Sequence, residues 1–364
     1  MSKLFESVTA GRLALCNRLM RSATAERMAH PESGQPLSTQ GDMYAALAQG
    51  GVGLIVTGHA YVERGGKAHP EMASIASDEV VPAWREVIRP AQEAGARLVM
   101  QINHGGAGCD PKVTPQPISP SGVSSDEAAE PRAMSEEEVE RLIQSFGQAA
   151  RRVREVGFDG VQIHGAHGYM TSQFLTPHTN RRDDAWGGDE ERRFAFLAAV
   201  IKEVRGQVGD DYPVWIKLGV AGDEESGFDI AQGARVAAAC AERGVDGIEI
   251  SHAGKEPKYI DHKQAAPYRP WAEAVRQAVG GDFSLALVNG FRTRAGMESV
   301  LENGLVQVVS LCRPLIVEPD LPIKLRENGD YEHVCDRCWK CWPKKAGMGV
   351  ACRNAKVLRL LSGD

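Results

Sequence analysis

Two histidines and a tyrosine stand within six residues of one another, directly after a short apolar strand. The strand is Val161-Gln-Ile163, and the polar run is His164-Gly-Ala-His167-Gly-Tyr169. Two imidazole donors can hold one carbonyl oxygen and stabilise the charge that develops on it, and a neutral phenol can deliver a proton without leaving a buried cation. These residue types at this spacing predict a site that polarises a carbonyl group and protonates the product.

A metal ion is the alternative for the same two histidines, because they are three residues apart. A metal site would also need a carboxylate or a third histidine, and His104 and His252, at the ends of predicted strands, are the candidates. The protein would then be a metal-dependent barrel hydrolase or lyase. The tyrosine and the downstream run Asn180-Arg181-Arg182 have no role in such a site, which favours the carbonyl site.

Four cysteines near the carboxyl end have a regular spacing, Cys335-x2-Cys338-x2-Cys341-x10-Cys352. Four thiolates in such a run can surround one inorganic centre, and iron–sulfur clusters are held in this way. A structural zinc ion uses the same ligands, and unmetallated thiols are a third possibility. Basic residues and tryptophans around the cysteines favour a shielded anionic centre. They are Arg337, Trp339, Lys340, Trp342, Lys344, Lys345 and Arg353.

Short apolar runs alternate with amphipathic stretches from residue 18 to residue 313, as expected for parallel strands joined by crossover helices. The predicted strands cover residues 18–22, 52–56, 97–101, 160–163, 214–218, 247–250, 285–288 and 306–311. The predicted helices include residues 80–94, 135–156, 191–208, 230–243, 270–279 and 294–303. The helix at 135–156 begins with Ser135-Glu-Glu-Glu138, a capping box.

Eight such units favour an α/β fold of the (β/α)8 TIM-barrel type, with a doubly wound sheet as the alternative. We expect a barrel domain at residues 1–325 and a C-terminal cysteine-rich extension at residues 326–364. A barrel places its functional residues at the carboxyl ends of strands. Chemically useful residues stand there: Ser22, Ala23, Thr24, Gly58, Gln101, His164, Lys217, Ser251, His252, Asn289, Gly290, Cys312 and Arg313.

Composition restricts the partners of the protein. The 364 residues are 43% hydrophobic, enough for one barrel of about 250 residues with insertions and a tail. The net charge of −6 comes from 48 acidic and 42 basic residues spread along the chain, so we expect no nucleic acid or membrane partner. We expect a cytoplasmic protein, since the amino-terminal residues lack a signal peptide. The long loop at 105–134 is suited to a lid or to a contact within a homo-oligomer.

The block H-x-A-H-G-Y, followed by F-L at Phe174-Leu175 and by N-R-R at residues 180–182, resembles the old yellow enzyme family of flavin-dependent oxidoreductases. The resemblance extends to about residue 325 and implies a bound flavin mononucleotide (FMN). It implies that Gln101 contacts the flavin pyrimidine and that Lys217 lies near flavin N1 and O2. Residues Ser22, Ala23, Thr24 and Gly58 would line the flavin. The phosphate would be held by Asn289, Gly290, Cys312 and Arg313.

The resemblance also implies a reaction. Reduced flavin would deliver hydride to the β-carbon of an activated alkene such as an enone. His164 and His167 would hold the carbonyl oxygen, Tyr169 would protonate the α-carbon, and NADH or NADPH would reduce the flavin again. A flavin and iron–sulfur electron-transfer subunit, or a dehydrogenase or demethylase working in the oxidative direction, is the alternative. At Ala25 many members have threonine or cysteine, so the expected tuning of the flavin through its O4 atom is absent.

The four-cysteine run is similar to that of family members such as 2,4-dienoyl-CoA reductase and trimethylamine dehydrogenase, in which it ligates a [4Fe-4S] cluster. The resemblance therefore implies a [4Fe-4S] cluster, although the last spacing is slightly shorter here. Those larger relatives continue into further nucleotide-binding domains, whereas this sequence ends twelve residues after Cys352. We therefore expect a cluster to exchange electrons with an external carrier or subunit.

Overall fold

The computed structural model describes residues 2–124, 130–343, 345 and 347–362. Its strands are β1 (Val8–Ala10), β2 (Leu13–Leu15), β3 (Leu19–Arg21), β4 (Leu54–Val56), β5 (Ala60–Tyr61), β6 (Arg97–Asn103), β7 (Ile118–Ser119), β8 (Arg132–Ala133), β9 (Gly160–Gly165), β10 (Val214–Ala221), β11 (Gly247–His252), β12 (Ser284–Val288) and β13 (Val308–Leu311). Its α-helices are α1 (Ser38–Gln49), α2 (Val81–Glu93), α3 (Glu136–Val156), α4 (Met170–Leu175), α5 (Glu190–Val208), α6 (Ile230–Glu242), α7 (Arg269–Val279), α8 (Arg294–Leu301), α9 (Arg313–Val317), α10 (Leu321–Glu327) and α11 (Ala355–Ser362).

Eight parallel strands form a closed barrel, in the order β4-β3-β13-β12-β11-β10-β9-β6, and a pairing between β4 and β6 completes the ring. The predicted TIM barrel is confirmed, and an open doubly wound sheet is excluded by this closure. Strands β9 and β10 are buried at every position, as expected for parallel strands that are covered on both faces. This burial explains why they read as apolar runs rather than as alternating patterns.

The predicted helices are present with ends that differ by one or two residues. Helix α3 shows how its sequence fixes its boundaries: the Ser135 hydroxyl accepts from the Glu138 amide, and the Glu138 carboxylate accepts from the Ser135 amide. This capping box satisfies two amides that the first turn leaves free. The helix ends at Gly157, whose φ of 100° is a left-handed conformation that suits glycine.

An amino-terminal hairpin was absent from the sequence-based prediction. Strands β1 and β2 pair antiparallel, and Leu13 and Leu15 pack against Trp215 and Val99 at the amino ends of barrel strands. The Trp215 indole also donates to the Gly11 carbonyl at 3.4 Å. The hairpin covers the end of the barrel opposite the strand termini that carry the polar residues. Two three-residue strands carry too short a pattern to be recognised from sequence.

The long loop after β6 is attached to the barrel by the run that begins at Asn180. One Arg182 nitrogen donates to the carbonyls of Pro120 and Met134, at 2.6 Å each, so this residue has a structural role in holding the loop. Strands β7 and β8 pair within the loop. Residues 125–129, in the middle of the predicted lid or oligomer contact, lie outside the described residues.

The cysteine-rich tail lies over the carboxyl ends of the barrel strands. The Trp342 indole donates to the Ala25 carbonyl at 3.2 Å, and the Val350 amide donates to the Glu26 carbonyl at 2.8 Å. Within the described part of the chain, no helix is long and apolar enough to span a membrane. The proposed domain boundary at 325/326 falls inside α10, so this helix connects the barrel with the tail.

Candidate active site

A cavity of about 340 Å³ opens at the carboxyl ends of the barrel strands, under the tail. It is within the size range of small-molecule and cofactor sites. The structure brings together in its wall the predicted site residues Ser22, Ala23, Thr24, Gln101, His164, His167, Tyr169, Lys217, Asn289, Gly290, Cys312 and Arg313. Gly58 lies outside this wall, and its amide donates to the Glu26 carboxylate at 2.9 Å.

His164, His167 and Tyr169 meet at one point of the cavity. The ring centroid of His164 lies 5.1 Å from that of His167 and 5.0 Å from that of Tyr169. His164 belongs to β9, whereas His167 and Gly168 have φ values of 60° and 71° and form a tight turn before α4. This left-handed turn reverses the chain, so that three side chains within a six-residue segment face the same space.

All three side chains are suited to act as neutral hydrogen-bond donors. Burial lowers the pKa of both histidines well below the ordinary value, and nearby His59, His252 and Lys217 act in the same direction. Burial raises the pKa of Tyr169 to about 12. At neutral pH the site therefore presents two imidazoles and a protonated phenol.

Neighbouring groups fix the faces that the imidazoles present. The Ala166 amide donates to His164 Nδ1 at 3.3 Å, so a neutral His164 carries its proton on Nε2. His167 Nε2 lies 2.8 Å from the Ser251 hydroxyl. If this hydroxyl donates to Nε2, the proton of His167 is on Nδ1. Each ring then keeps one N–H group available as a donor.

A buried ion pair lies beside this group, within the barrel. Lys217 Nζ is 3.1 Å from a Glu249 carboxylate oxygen and 2.7 Å from the Ser22 hydroxyl. The same carboxylate oxygen accepts from the hydroxyls of Ser22 and Ser310, at 2.6 and 2.8 Å. Although burial acts to raise the pKa of Glu249, the Lys217 charge and these hydroxyl donors hold it below its ordinary value. Lys217 is therefore a fixed cation whose charge is balanced.

The same network reaches the predicted pyrimidine ligand Gln101. Its amide nitrogen donates to the Gln162 carbonyl oxygen at 2.7 Å, and the Gln162 nitrogen donates to Glu249 at 3.1 Å. This bond uses one N–H of the Gln101 side chain, so its second N–H and its carbonyl oxygen are left to contact a ligand. Glu249 therefore orients two side chains of the cavity wall, Lys217 directly and Gln101 through Gln162.

Removal of one partner of this ion pair is expected to destabilise the folded protein. In Lys217→Met, Glu249 would stay buried without its cation, which should lower the free energy of unfolding of the flavin-free protein by about 3–5 kcal/mol. Urea unfolding measures this change. The double variant Lys217→Met/Glu249→Gln removes both charges and should recover most of the loss. Equal stability of wild type and the single variant would show that the pair is not strongly coupled.

The residues that follow β12 and β13 form a turn suited to an anion, called here the anion-binding turn. Asn289 and Gly290 follow β12 with φ values of 86° and 84°, and both line the large cavity. Glycine is needed at the second position, because a Cβ atom on Gly290 would lie 2.3 Å from Pro267 Cδ. Arg313, the first residue of α9, lines the cavity at the same place. Backbone amides and a guanidinium together suit a phosphate group.

Sequence reasoning missed several residues of the cavity. The ring centroid of His59 lies 5.1 Å from that of Tyr169 and 6.0 Å from that of His164. Burial lowers its pKa to about 4. Its position directly after the predicted strand end at Gly58 was an available signal. Glu249, which lies behind the cavity wall and pairs with Lys217, was also recognisable, as an acid within the apolar run Gly247–Ile250 that begins β11.

The four tail cysteines come together around a second, much smaller cavity of about 10 Å³. Cys335 and Cys341 are buried, and Cys338 and Cys352 are partly buried. Burial and the neighbouring thiols raise the pKa of Cys341 to about 12. No group of three or more His, Cys, Asp and Glu side chains in the described chain is arranged to hold a metal ion. The thiols therefore converge, but the predicted metal site is not confirmed.

The two cavities share a wall. Arg313, Arg337 and Trp339 line both of them, and the Arg313 guanidinium lies 4.0 Å from the centre of the Trp339 ring. Cys312 also faces the larger cavity, and its sulfur is 3.0 Å from the Thr24 hydroxyl. The tail is thus part of the main site rather than a separate appendage.

A TIM barrel with an anion-binding turn after its last two strands, and with hydrogen-bond donors at the other strand ends, is characteristic of an enzyme that binds a phosphate-bearing cofactor. A match over residues 3–332 shows that the chain belongs to the NADH:flavin oxidoreductase / NADH oxidase family. The protein is therefore a flavin oxidoreductase of the class that uses NADH or NADPH.

Individual relatives agree with this assignment. The chain is 32% identical to a probable NADH-dependent flavin oxidoreductase, YqiG, of Bacillus subtilis, over 77% of this chain and 76% of the relative. It is 31% identical to an NADH oxidase of Thermoanaerobacter brockii over 98% of this chain but only 54% of that protein, so it spans about half of that relative. The structure of an old yellow enzyme homologue from Zymomonas mobilis shares the fold, with a TM-score of 0.80, 24% identity, and coverage of 94% of this chain and 98% of that one.

Proposed function

We propose that the protein is an FMN-dependent, NAD(P)H-linked oxidoreductase that reduces activated C=C bonds. The observation that carries the proposal is the convergence of His164, His167 and Tyr169 in the wall that also contains Gln101 and Lys217. This arrangement combines donors for a carbonyl oxygen with a proton source and with polar contacts for a flavin ring. An enone, or another small activated alkene, is the substrate class that fits these groups.

The residues present suit FMN. The free carbonyl oxygen of Gln101 and the ammonium of Lys217 match the donors and acceptors of a flavin pyrimidine. The turn at Asn289-Gly290, with Arg313, suits the phosphate, and Ser22, Ala23 and Thr24 lie along the same wall. Cys312 completes the wall between them. When bound and reduced by NADH or NADPH, FMN supplies a hydride to the β-carbon of the alkene.

The chain's own residues perform the remaining steps. We propose that N–H groups of His164 and His167 donate to the substrate carbonyl oxygen and stabilise the negative charge that forms on it. The Tyr169 hydroxyl then gives a proton to the α-carbon, and its raised pKa keeps it protonated until that step. Since both imidazoles are neutral, the site does not need to bury an additional cation.

These pKa values predict a reaction that depends little on pH. A histidine whose pKa is lowered is neutral at every pH above that lowered value, and Tyr169, with a pKa of about 12, stays protonated below it. The rate at which an enone oxidises the reduced enzyme should therefore vary by less than about twofold between about pH 6 and about pH 9. Anaerobic stopped-flow measurements test this, and an inflection near the ordinary pKa of histidine would contradict it.

We further propose that Cys335, Cys338, Cys341 and Cys352 hold an inorganic centre, with a [4Fe-4S] cluster as the first candidate and zinc as the second. Their convergence around one cavity and the nearby cations Arg337, Lys340 and Arg353 support this proposal. Iron, acid-labile sulfide and zinc assays on anaerobically purified protein distinguish the two centres. Four irons and four sulfides per chain are expected for the cluster, whereas protein without either metal would contradict the proposal.

The wall shared by the two cavities favours a second candidate, a flavin and iron–sulfur electron-transfer subunit that serves an external carrier. The two candidates differ in what oxidises the reduced flavin. Rapid turnover of NAD(P)H with an enone alone supports the alkene reductase. Turnover that needs a one-electron acceptor supports the electron-transfer subunit. A cytoplasmic homo-oligomer without a nucleic acid or membrane partner completes the proposal.

The first experiment is to purify the protein, release its flavin and identify it by mass. We expect about one FMN per chain, bleached anaerobically by NADH or NADPH, and consumption of the nicotinamide with 2-cyclohexen-1-one as acceptor. A protein that binds no FMN even after incubation with it would contradict the proposed function.

A further inference from the structure

We infer that Arg337, a residue of the cysteine-rich tail, binds the phosphate group of the flavin, so that the tail completes the cofactor site. The inference rests on the proposed FMN site. It adds to this site a binding residue from the tail, outside the barrel and outside the motifs that resemble a flavin site. Arg337 stands between Cys335 and Cys338, and sequence analysis treated it only as part of the shield around the four thiols.

The geometry places Arg337 at the anion-binding turn. Its Nη2 atom lies 3.4 Å from the Gly290 carbonyl oxygen, although the two residues are far apart in sequence. The Arg313 guanidinium donates to the Arg337 backbone carbonyl at 3.5 Å, so Arg313 lies against the same segment of the tail. Both line the large cavity. A phosphate bound by the amides of this turn would lie within reach of both side chains.

The local charges also favour the binding of an anion. In the described chain, neither Arg313 nor Arg337 forms an ion pair with a carboxylate, whereas neighbouring Arg292 is paired with Glu332. Two partly buried cations side by side are unfavourable unless an anion joins them.

The carboxylate of Glu256, also in the cavity wall, does not serve as that anion. One of its oxygens is 2.6 Å from His262 Nε2, and the carboxylate also accepts from the Tyr268 hydroxyl. Its contact with the side-chain nitrogen of Asn289 is 3.4 Å long. Glu256 is thus engaged by its own partners, on the side of the turn formed by Asn289. The side of the turn that faces Arg313 and Arg337 remains open to a ligand.

The backbone of the tail connects the flavin site with the four thiols. Arg337 and Trp339 have φ values of 59° and 60°, which non-glycine residues adopt only where the surrounding structure holds them. They flank Cys338 directly, so a group bound by the thiols would fix the same short segment. Phosphate binding at Arg337 and occupancy of the thiol cavity should therefore support each other.

The test compares FMN with riboflavin, which has the same ring system but no phosphate. Flavin-free wild type and Arg337→Gln are titrated with each flavin, and binding is followed by quenching of flavin fluorescence. Loss of a charge-assisted contact should weaken FMN binding about 10- to 100-fold and leave riboflavin binding within about threefold. Arg292→Gln is the matched control: it removes a nearby cation that lies outside the cavity wall, and FMN affinity should change by less than about threefold.

The outcomes separate this inference from the proposed function. If wild type binds FMN and Arg337→Gln weakens both flavins equally, or neither, the assignment of Arg337 to the phosphate is wrong. If wild type binds neither flavin, the proposed function fails first. Inorganic phosphate gives a second measurement if Arg337→Gln folds poorly: it should raise the melting temperature of flavin-free wild type more than that of Arg337→Lys. An equal rise in both would overturn the inference.

Discussion

Replacement of Tyr169 by phenylalanine should slow the oxidation of the reduced enzyme by an enone about 100- to 10,000-fold, the range that a positioned proton donor contributes. The cause is the loss of the proton for the α-carbon, because the phenylalanine ring keeps the shape of the buried side chain but has no hydroxyl. Reduction of the flavin by NADH or NADPH needs no such proton and should keep its wild-type rate. Anaerobic stopped-flow spectroscopy measures the two half-reactions separately.

A second tyrosine provides the control for this experiment. The Tyr212 hydroxyl donates to the Phe158 carbonyl at 2.8 Å, and this residue does not line the cavity. In Tyr212→Phe, both half-reactions should remain within about twofold of wild type. If Tyr169→Phe leaves the oxidative half-reaction unchanged, or slows both half-reactions equally, Tyr169 is not the proton donor.

Removal of the imidazole of His164 should lower kcat/KM for an enone about 100- to 1,000-fold, which is the usual effect of losing one donor to an oxyanion. The argument rests on the Nε2–H group, which the Ala166 contact at Nδ1 leaves free to face the cavity. His167→Ala should have an effect of similar size, since the two donors act on one oxygen. Steady-state kinetics with 2-cyclohexen-1-one measures both variants.

Phenol binding distinguishes a lost donor from general damage to the site. A phenolate oxygen can accept from both imidazoles, so a substituted phenol should bind wild type and should bind His164→Ala more weakly. His178→Ala is the control, because His178 lies outside the cavity, 3.9 Å from Glu225. Unchanged phenol affinity in His164→Ala would place the substrate oxygen elsewhere.

The barrel and the positions of most site residues follow from the sequence for a physical reason. A parallel strand that is buried on both faces appears as a short apolar run, and a polar residue that interrupts or follows this run marks the functional end of the barrel. Gln101, Lys217 and Asn289 could be assigned to one cavity in this way before any coordinates were known. The run from His164 to Tyr169 adds a turn whose left-handed residues return three side chains to the same place.

The contacts missed by sequence analysis depend on distances that a linear pattern does not contain. Glu249 could be seen as an acid in an apolar strand, but its pairing with Lys217 follows only from the register of β10 and β11. Arg337 reaches Gly290 because the tail folds back over the barrel, and nothing in the cysteine spacing specifies that path. The convergence of the four thiols was expected, whereas the wall between their cavity and the main cavity was not.

The most direct measurement is an anaerobic titration of the NADPH-reduced protein with 2-cyclohexen-1-one, with the product quantified. The account predicts that one equivalent of enone oxidises one equivalent of bound flavin and yields one equivalent of cyclohexanone. Flavin that remains reduced in the presence of excess enone, and is oxidised only by a one-electron acceptor, would contradict the assignment of the cavity to alkene reduction and would favour the electron-transfer role.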